Sequence, residues 1–78
     1  MSAAEIEREL IPILEKMIGM KIAPDDSLIE SRLIDSMAVI DLTMELEEVF
    51  QIKIQAAEVR PENFETAKIL SYFIASKQ

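Results

Sequence analysis

Apolar residues recur every three or four positions through two long stretches of this chain, and this spacing constrains its fold more than any other feature. In the first stretch the recurring residues are Ile6, Leu10, Ile13, Leu14, Met17 and Ile18. Ser2 and Glu5 have capping-box spacing before it, and Gly19, the only glycine, follows it. The pattern predicts a first helix over residues 3–18. Pro12 lies inside that helix and predicts a bend or an irregular turn, because proline lacks the N–H that a helix interior needs.

The second stretch predicts a helix from Ser36 to about Phe50, with capping chemistry at Asp35 and Ser36. Because a helix turns by about 100° per residue, its side chains can be assigned to faces. One face is an ordinary core stripe of Val39, Leu42, Leu46, Val49 and Phe50. The opposite face carries Met37, Ile40 and Met44, interleaved with Asp41, Glu47 and Glu48.

This opposite face can be interpreted in two ways. From Leu33 to Ile52 the chain has no basic residue and five acidic ones: Asp35, Asp41, Glu45, Glu47 and Glu48. Methionine adapts to pockets of different shape, so exposed methionines among acids suit transient contact with several partners. The alternative is that the methionines belong to the core. Burying Met44 would draw Asp41 or Glu48 into a medium of low dielectric constant, which is costly, and we therefore favour a surface.

The remaining segments are less regular. Residues 19–35 lack periodicity and predict a long loop, held on the bundle by Leu28, Ile29, Leu33 and Ile34. Residues 52–55 alternate like a strand but have no evident partner strand. A short helical turn is predicted over residues 56–59, stopped before Pro61. No internal repeat is apparent.

A last helix completes the chain, capped by Asn63 or Thr66. Its apolar face is predicted to hold Ile69, Leu70, Phe73 and Ile74. The sequence as a whole predicts an all-α fold, a single domain over residues 1–78. The expected architecture is a small bundle of three long helices and one short helix, with a long loop between the first two long helices.

Composition excludes several classes of function. Fifteen acidic residues against eight basic ones give a net charge of −7, which disfavours nucleic-acid binding and favours basic patches on protein partners. The absence of histidine and cysteine removes the commonest general base, the commonest metal ligands and any disulfide. No apolar run approaches the ~20 residues that span a bilayer, and the N-terminus is unlike a secretory signal. We expect a cytoplasmic protein without membrane insertion.

Asp25, Asp26 and Glu30 form an acidic cluster whose spacing can be compared with the EF-hand calcium loop. That pattern needs a glycine at the sixth loop position and oxygen ligands at alternate positions, and the segment has neither. We predict no metal site.

Ser36 is the most informative polar residue. At the start of a helix its hydroxyl should be exposed, and the helix dipole favours an attached phosphate. A serine that acts as a nucleophile needs a base within hydrogen-bond reach, and none beyond the helix-start carboxylate of Asp35 is available. Ser36 is therefore either a residue modified by another enzyme or a helix cap with no further role, and spacing alone leaves both open.

The segment from Leu33 to Leu42 (LIDSMAVIDL), continued as MELEEVF at residues 44–50, resembles the attachment segment of acyl carrier proteins. That family has an Asp-Ser-Leu or Asp-Ser-Met core followed by an acidic amphipathic helix that ends in Glu-Glu-x-Phe. The resemblance covers nearly the whole chain, because the order of helices, the long first loop and the Ile-x-Ile segment also match.

This resemblance implies roles for particular residues. Ser36 would be joined to 4′-phosphopantetheine, transferred from coenzyme A by a phosphopantetheinyl transferase, and a cargo would be held as a thioester on the terminal thiol of that arm. Asp35 matches the aspartate that helps to place a metal ion during the transfer. The helix that follows matches the family's partner-docking helix, which meets basic patches on loading and acyl-processing enzymes. Its candidate contact residues are Met37, Ile40, Asp41, Met44, Glu47 and Glu48.

The cargo is left open between fatty acyl, polyketide and aminoacyl groups. Met37 after the serine is shared with D-alanyl carrier proteins and some specialised carriers, while Ala38 and Thr43 depart from typical fatty-acid carriers. The cargo would either stay in solvent or enter a cleft, for which Leu46, Ile54 and Val59 are candidates. We expect a monomeric carrier and not an enzyme. The alternative is an unmodified acidic adaptor that binds a basic protein partner through the same helix.

Overall fold

The computed structural model describes all 78 residues and contains helices but no strands. Helix α1 spans Ala3–Ile18, α2 spans Ser36–Phe50, a 3₁₀ helix spans Ala56–Glu58, α3 spans Pro61–Phe64 and α4 spans Ala67–Lys77. Three longer helices and one short helix, with a 17-residue connection over residues 19–35, confirm the predicted architecture. None of the helices has the length and low charge needed to cross a membrane.

Helix α1 begins and ends as the sequence predicts. The Ser2 hydroxyl accepts the Glu5 N–H (3.2 Å) and the Glu5 carboxylate accepts the Ser2 N–H (2.9 Å), which forms a capping box. Gly19 ends the helix with φ at +85°, in the left-handed region that glycine adopts most readily. Of the bend or irregular turn expected at Pro12, the irregular turn is wrong: the helix continues through this residue, which costs it only the one N–H that proline lacks.

Helix α2 is capped by Asp35, whose Oδ1 accepts the Ala38 N–H at 2.8 Å. Ser36 is therefore the first residue inside the helix. Leu42, Leu46 and Phe50 are buried and Val39 is half-buried, as predicted. Val49 was wrongly placed in this core stripe, since 46% of its surface is exposed, and the core takes up Thr43 instead. Thr43 can be buried because its hydroxyl donates to the Val39 carbonyl at 2.8 Å.

The two longest helices end with the same arrangement, 32 residues apart. Gln51 adopts a left-handed φ of +56° after α2, as Gly19 does after α1. A carboxylate four residues earlier then accepts a backbone N–H from the loop: Glu15 accepts from Ile22 (3.1 Å) and Glu47 accepts from Ile54 (2.8 Å). Ile22 and Ile54 are both buried. This common helix ending was not predicted from sequence, because residues 15–22 and 47–54 are identical at only a few positions.

The long loop is fixed to the start of α4. The Leu28 N–H donates to the Glu65 carbonyl (2.7 Å), and the Lys68 N–H donates to the Pro24 carbonyl (3.1 Å). The Ser27 hydroxyl also donates to the Glu65 carboxylate at 2.6 Å. Leu28 and Ile34 are buried, and Ile29 and Leu33 pack against the core, so the predicted anchoring is confirmed.

Residues 52–55, which alternate like a strand in sequence, form no strand, and two short helices follow them. The 3₁₀ helix occupies the predicted short turn, but Pro61 begins α3 and does not merely stop the turn before it. Proline suits the first position of a helix, where no N–H is required. Thr66 caps α4 through the Ile69 N–H (3.0 Å), which decides between the two predicted caps.

The core is formed mainly by aliphatic side chains from α1, α2 and α4. Leu70 and Ile74 of α4 are buried, and the half-buried Phe73 lies against Phe64 with ring centroids 6.1 Å apart. Ile69 was wrongly assigned to the buried face of α4, because it is exposed to solvent. This core holds α2 in place while leaving its opposite face uncovered.

Candidate functional site

Asp35 and Ser36 lie where the long loop enters α2. The Asp35 carboxylate uses Oδ1 to cap the helix, and its Oδ2 makes no hydrogen bond within the chain. The Asp35 carbonyl also accepts the Val39 N–H at 3.0 Å, the first backbone bond of the helix. Ser36 is consequently held in a regular first turn, with an exposed side chain.

The Ser36 hydroxyl differs from those of the other serines. The chain has six serines, and those other than Ser36 each make a hydrogen bond within the fold: Ser2, Ser27, Ser31, Ser71 and Ser76. Ser36 makes none, so its hydroxyl is free to react without disturbing another contact.

A cavity of about 250 Å³ opens beside Ser36. Three segments form its walls: the long loop, the first turn of α2, and the junction between the 3₁₀ helix and α3. Its lining residues are Ile29, Ile34, Asp35, Ser36, Val39, Val59, Arg60, Pro61 and Phe64. The lining is mainly apolar, with polar groups contributed by Asp35, Ser36 and Arg60.

The predicted cleft residues only partly match this cavity. Val59 lines it, but Leu46 and Ile54 do not, because both side chains are buried in the core. Arg60, Pro61 and Phe64 were missed. They are more than 20 residues from Ser36, and no local pattern relates them to it.

Charged and polar groups hold the segment that leads into Val59 and Arg60, two of the lining residues of the cavity. Lys77 Nζ lies 2.8 and 2.9 Å from the two carboxylate oxygens of Glu58, and the Glu58 carbonyl accepts from Asn63 Nδ2 at 2.9 Å. The hydrogen bond from Lys77, together with one from the Gln55 N–H, lowers the pKa of Glu58 below its ordinary value of 4.5. The C-terminal end of α4 thus holds the backbone that leads into Val59 and Arg60.

The outward face of α2 is exposed as predicted. Met37, Ile40 and Met44 are 76%, 59% and 63% exposed, which rules out a core role for the methionines. Asp41 and Glu48 are also exposed, whereas Glu47 is half-buried and turns one oxygen toward the Ile54 N–H. This face therefore combines exposed apolar side chains with an acidic rim.

In the segment around Asp25 and Asp26, a carboxylate serves the backbone of the loop. The Asp26 carboxylate accepts the Ala23 N–H at 2.7 Å, which closes a turn in the loop. No group of three or more acidic side chains in the chain is arranged to hold a metal ion.

These features define a small acidic helical bundle that offers one unengaged serine at the start of its most acidic helix. A family model described as "Phosphopantetheine attachment site" matches residues 8–68 of this chain. The chain therefore belongs to the acyl carrier protein family, whose domain is the site of covalent 4′-phosphopantetheine attachment.

Two relatives are D-alanyl carrier proteins of the genus Leuconostoc. The protein of Leuconostoc citreum is 33% identical over 63 residues, which cover 78% of this chain and 81% of the relative. The protein of Leuconostoc mesenteroides subsp. mesenteroides is 31% identical over 64 residues, which cover 80% and 82%. This chain is thus a carrier protein of the same family.

Proposed function

We propose that Ser36 carries the 4′-phosphopantetheine arm and that the chain presents cargo on this arm to enzymes with basic docking patches. One observation supports the proposal above the others. Among the six serines, Ser36 alone combines an exposed side chain with a hydroxyl that has no hydrogen-bond partner in the chain. The neighbouring cavity and the acidic helix give this hydroxyl a setting that a transferase can recognise.

Each residue of the site has a defined task in this proposal. Asp35 fixes the first turn of α2 through Oδ1 and leaves Oδ2 available for a metal ion brought by the transferase. The chain has no histidine, so the base that takes the Ser36 proton has to come from the transferase. Once bound, the arm supplies a terminal thiol, on which a cargo is held as a thioester.

The docking surface in this proposal is the outward face of α2. Met37, Ile40 and Met44 supply adaptable apolar contacts, and Asp41 and Glu48 attract cationic partners. Glu47 contributes less than Asp41 or Glu48, because one of its oxygens already binds the Ile54 N–H. We expect the chain to meet its partners as a monomer and as a single domain.

For the cargo, we propose an aminoacyl group, with D-alanine as the first candidate. The names of the two relatives and Met37 after the serine support this choice over a fatty acyl or polyketide group. The test is to incubate the chain that carries the phosphopantetheine arm, with its thiol free, separately with a D-alanine-activating enzyme and a fatty-acyl-loading enzyme. A gain in mass of one alanyl group only is expected, and a gain of a fatty acyl group only would contradict the choice.

The attachment itself is tested by intact mass after incubation with coenzyme A and a broad-specificity phosphopantetheinyl transferase. We expect the wild type to gain one phosphopantetheinyl group and Ser36→Ala to gain none. Ser76→Ala is the matched control, since Ser76 is exposed but hydrogen-bonds the Phe73 carbonyl (2.6 Å), and it should gain the group fully. If no transferase modifies the wild type, the acidic face of α2 is an adaptor surface and Ser36 is only a helix residue.

A further inference from the structure

One basic residue, Arg60, is among those that line the cavity beside Ser36, and its side chain is 60% exposed to solvent. Arg60 lies between the 3₁₀ helix and α3, and its backbone is fixed on both sides. Its N–H donates to the Glu58 carbonyl and its carbonyl accepts the Asn63 N–H, both at 2.9 Å. The guanidinium thus extends from a backbone segment that is fixed by hydrogen bonds and that lines the same cavity as Ser36.

Most of the hydrogen-bonding capacity of this guanidinium is unused. Nε and Nη2 donate to one oxygen of Glu62, at 3.2 and 2.8 Å, and this contact lowers the pKa of Glu62. A guanidinium has five N–H donors, and Nη1 makes no hydrogen bond within the chain. Arg60 is therefore oriented by Glu62 while it retains donors for a second anion.

The surroundings of Ser36 make such a cation valuable. A phosphodiester on Ser36 adds a negative charge next to Asp35 and to a helix without any basic residue. Neighbouring negative charges repel one another. Salt screens this repulsion between exposed charges only when they are more than about 8–10 Å apart at physiological ionic strength. Arg60 is the cation placed by the fold against the same cavity.

We propose that Arg60 binds the phosphodiester of the arm on Ser36 and thereby directs the start of the arm into the cavity. The proposal rests on attachment at Ser36. The order of groups along the arm fits the cavity, because a phosphodiester comes first and an apolar dimethyl-substituted carbon follows it. The cavity likewise has Arg60 among its polar lining and apolar walls formed by Ile29, Ile34 and Phe64. A guanidinium suits this task better than an ammonium, since its planar fork can bind a phosphate and a carboxylate together.

Nuclear magnetic resonance of the chain before and after modification tests the proposal. The readouts are the Arg60 Nε–Hε signal and the ³¹P shift of the phosphodiester, and intact mass verifies attachment in every sample. The variants are Arg60→Ala, Arg60→Lys and, as the matched control, Arg8→Ala. Arg8 is an exposed arginine of α1 that lines no cavity and forms no ion pair, so its removal changes the net charge equally.

We expect the Arg60 Nε–Hε signal to move on modification of the wild type. The ³¹P shift should differ from wild type in Arg60→Ala, differ less in Arg60→Lys and be unchanged in Arg8→Ala. The effect should weaken at 1 M NaCl, where the Debye length is about 3 Å. Suppose that Ser36 is modified but the Arg60 Nε–Hε signal does not move on modification and the ³¹P shift is the same in Arg60→Ala as in wild type. The proposed role of Arg60 is then wrong, while attachment at Ser36 stands. If Ser36 is not modified, both proposals fail.

Discussion

Two residues end helices in the left-handed backbone region at different cost. Gly19 adopts this conformation freely and a β-carbon there would meet no atom within 4 Å, whereas Gln51 has a side chain that disfavours it. We predict that Gln51→Gly raises the free energy of unfolding by about 0.5–1 kcal/mol and that Gly19→Ala lowers it by about 1–2 kcal/mol. Urea unfolding with an unchanged m value measures both, and a loss in Gln51→Gly would show that its side-chain bond to the Glu48 carbonyl matters more.

The ion pair between Glu58 and Lys77 makes the stability of the fold depend on pH. Because Lys77 lowers the pKa of Glu58 in the folded chain, the stabilisation is complete above the ordinary value of 4.5 and is lost as the pH falls through the lowered pKa. The difference in unfolding free energy between wild type and Glu58→Gln should therefore be largest above pH 4.5 and shrink in acid.

The same pair offers its own control. In a Lys77→Met background, Glu58→Gln should have a smaller effect that depends less on pH, since the main cause of the lowered pKa is gone. Equal pH profiles in the two backgrounds would contradict the assignment of the pKa shift to Lys77.

At the scale of elements, α2 separates a structural face from an exposed one. Leu46 is fully buried, while Met44, two positions away, is 63% exposed. Leu46→Ala should lower the free energy of unfolding by about 2–5 kcal/mol, and Met44→Ala should change it by less than about 0.5 kcal/mol. Under the proposed function, Met44→Ala should nevertheless reduce kcat/KM for modification by the transferase. A large stability loss in Met44→Ala would contradict the exposed position of this residue.

Helix α1 carries an internal proline at a solvent-exposed position. Pro12 cannot donate to the Arg8 carbonyl, so Pro12→Ala restores a helical hydrogen bond. We predict an increase of about 1–3 kcal/mol in the free energy of unfolding, reduced by the greater freedom of the unfolded chain. Urea unfolding measures this change, and an unchanged or lower stability would show that the helix relies on a bend at this residue.

Helices were predictable from this sequence where a local signal marked both ends. Capping residues and the left-handed Gly19 bound α1, and Asp35 with an apolar stripe bounds α2. Val49 and Ile69 were misplaced because helical periodicity gives a face only to within about one residue, while burial depends on which neighbouring element covers it. The predicted turn does stop before Pro61, but the short helix that begins at Pro61 was not predicted, because the same residue can stop one helix and start another.

Only those residues of the candidate site that are adjacent in sequence were predictable. Ser36 and Asp35 are adjacent in sequence and lie within a recognisable segment, so the pattern found them together. Arg60 and Phe64 reach the cavity through the packing of the 3₁₀ helix and α3 against the long loop. Such contacts join residues far apart in sequence, and no periodic pattern records them.

At the scale of the whole molecule, charge acts on folding and on docking in opposite directions. The net charge is −7, and of the eight basic residues only Arg60 and Lys77 form ion pairs with carboxylates. Added salt screens the repulsion within the chain and also screens its attraction to basic partners. Between about 0.01 and 0.15 M NaCl, over which the Debye length falls from about 30 to about 8 Å, the urea midpoint should rise and kcat/KM for modification should fall. A parallel rise in both would contradict a docking surface based on acidic residues.

Mapping the modification within the chain shows whether the arm is attached at Ser36 or elsewhere. Trypsin cleavage after Arg32 and Lys53 releases residues 33–53, a peptide whose only serine is Ser36. We predict that the phosphopantetheinyl mass appears on this peptide alone, and that fragmentation places it on Ser36 and not on the buried Thr43. The same mass on any other peptide, or on none after full incubation with coenzyme A and several transferases, would overturn attachment at Ser36.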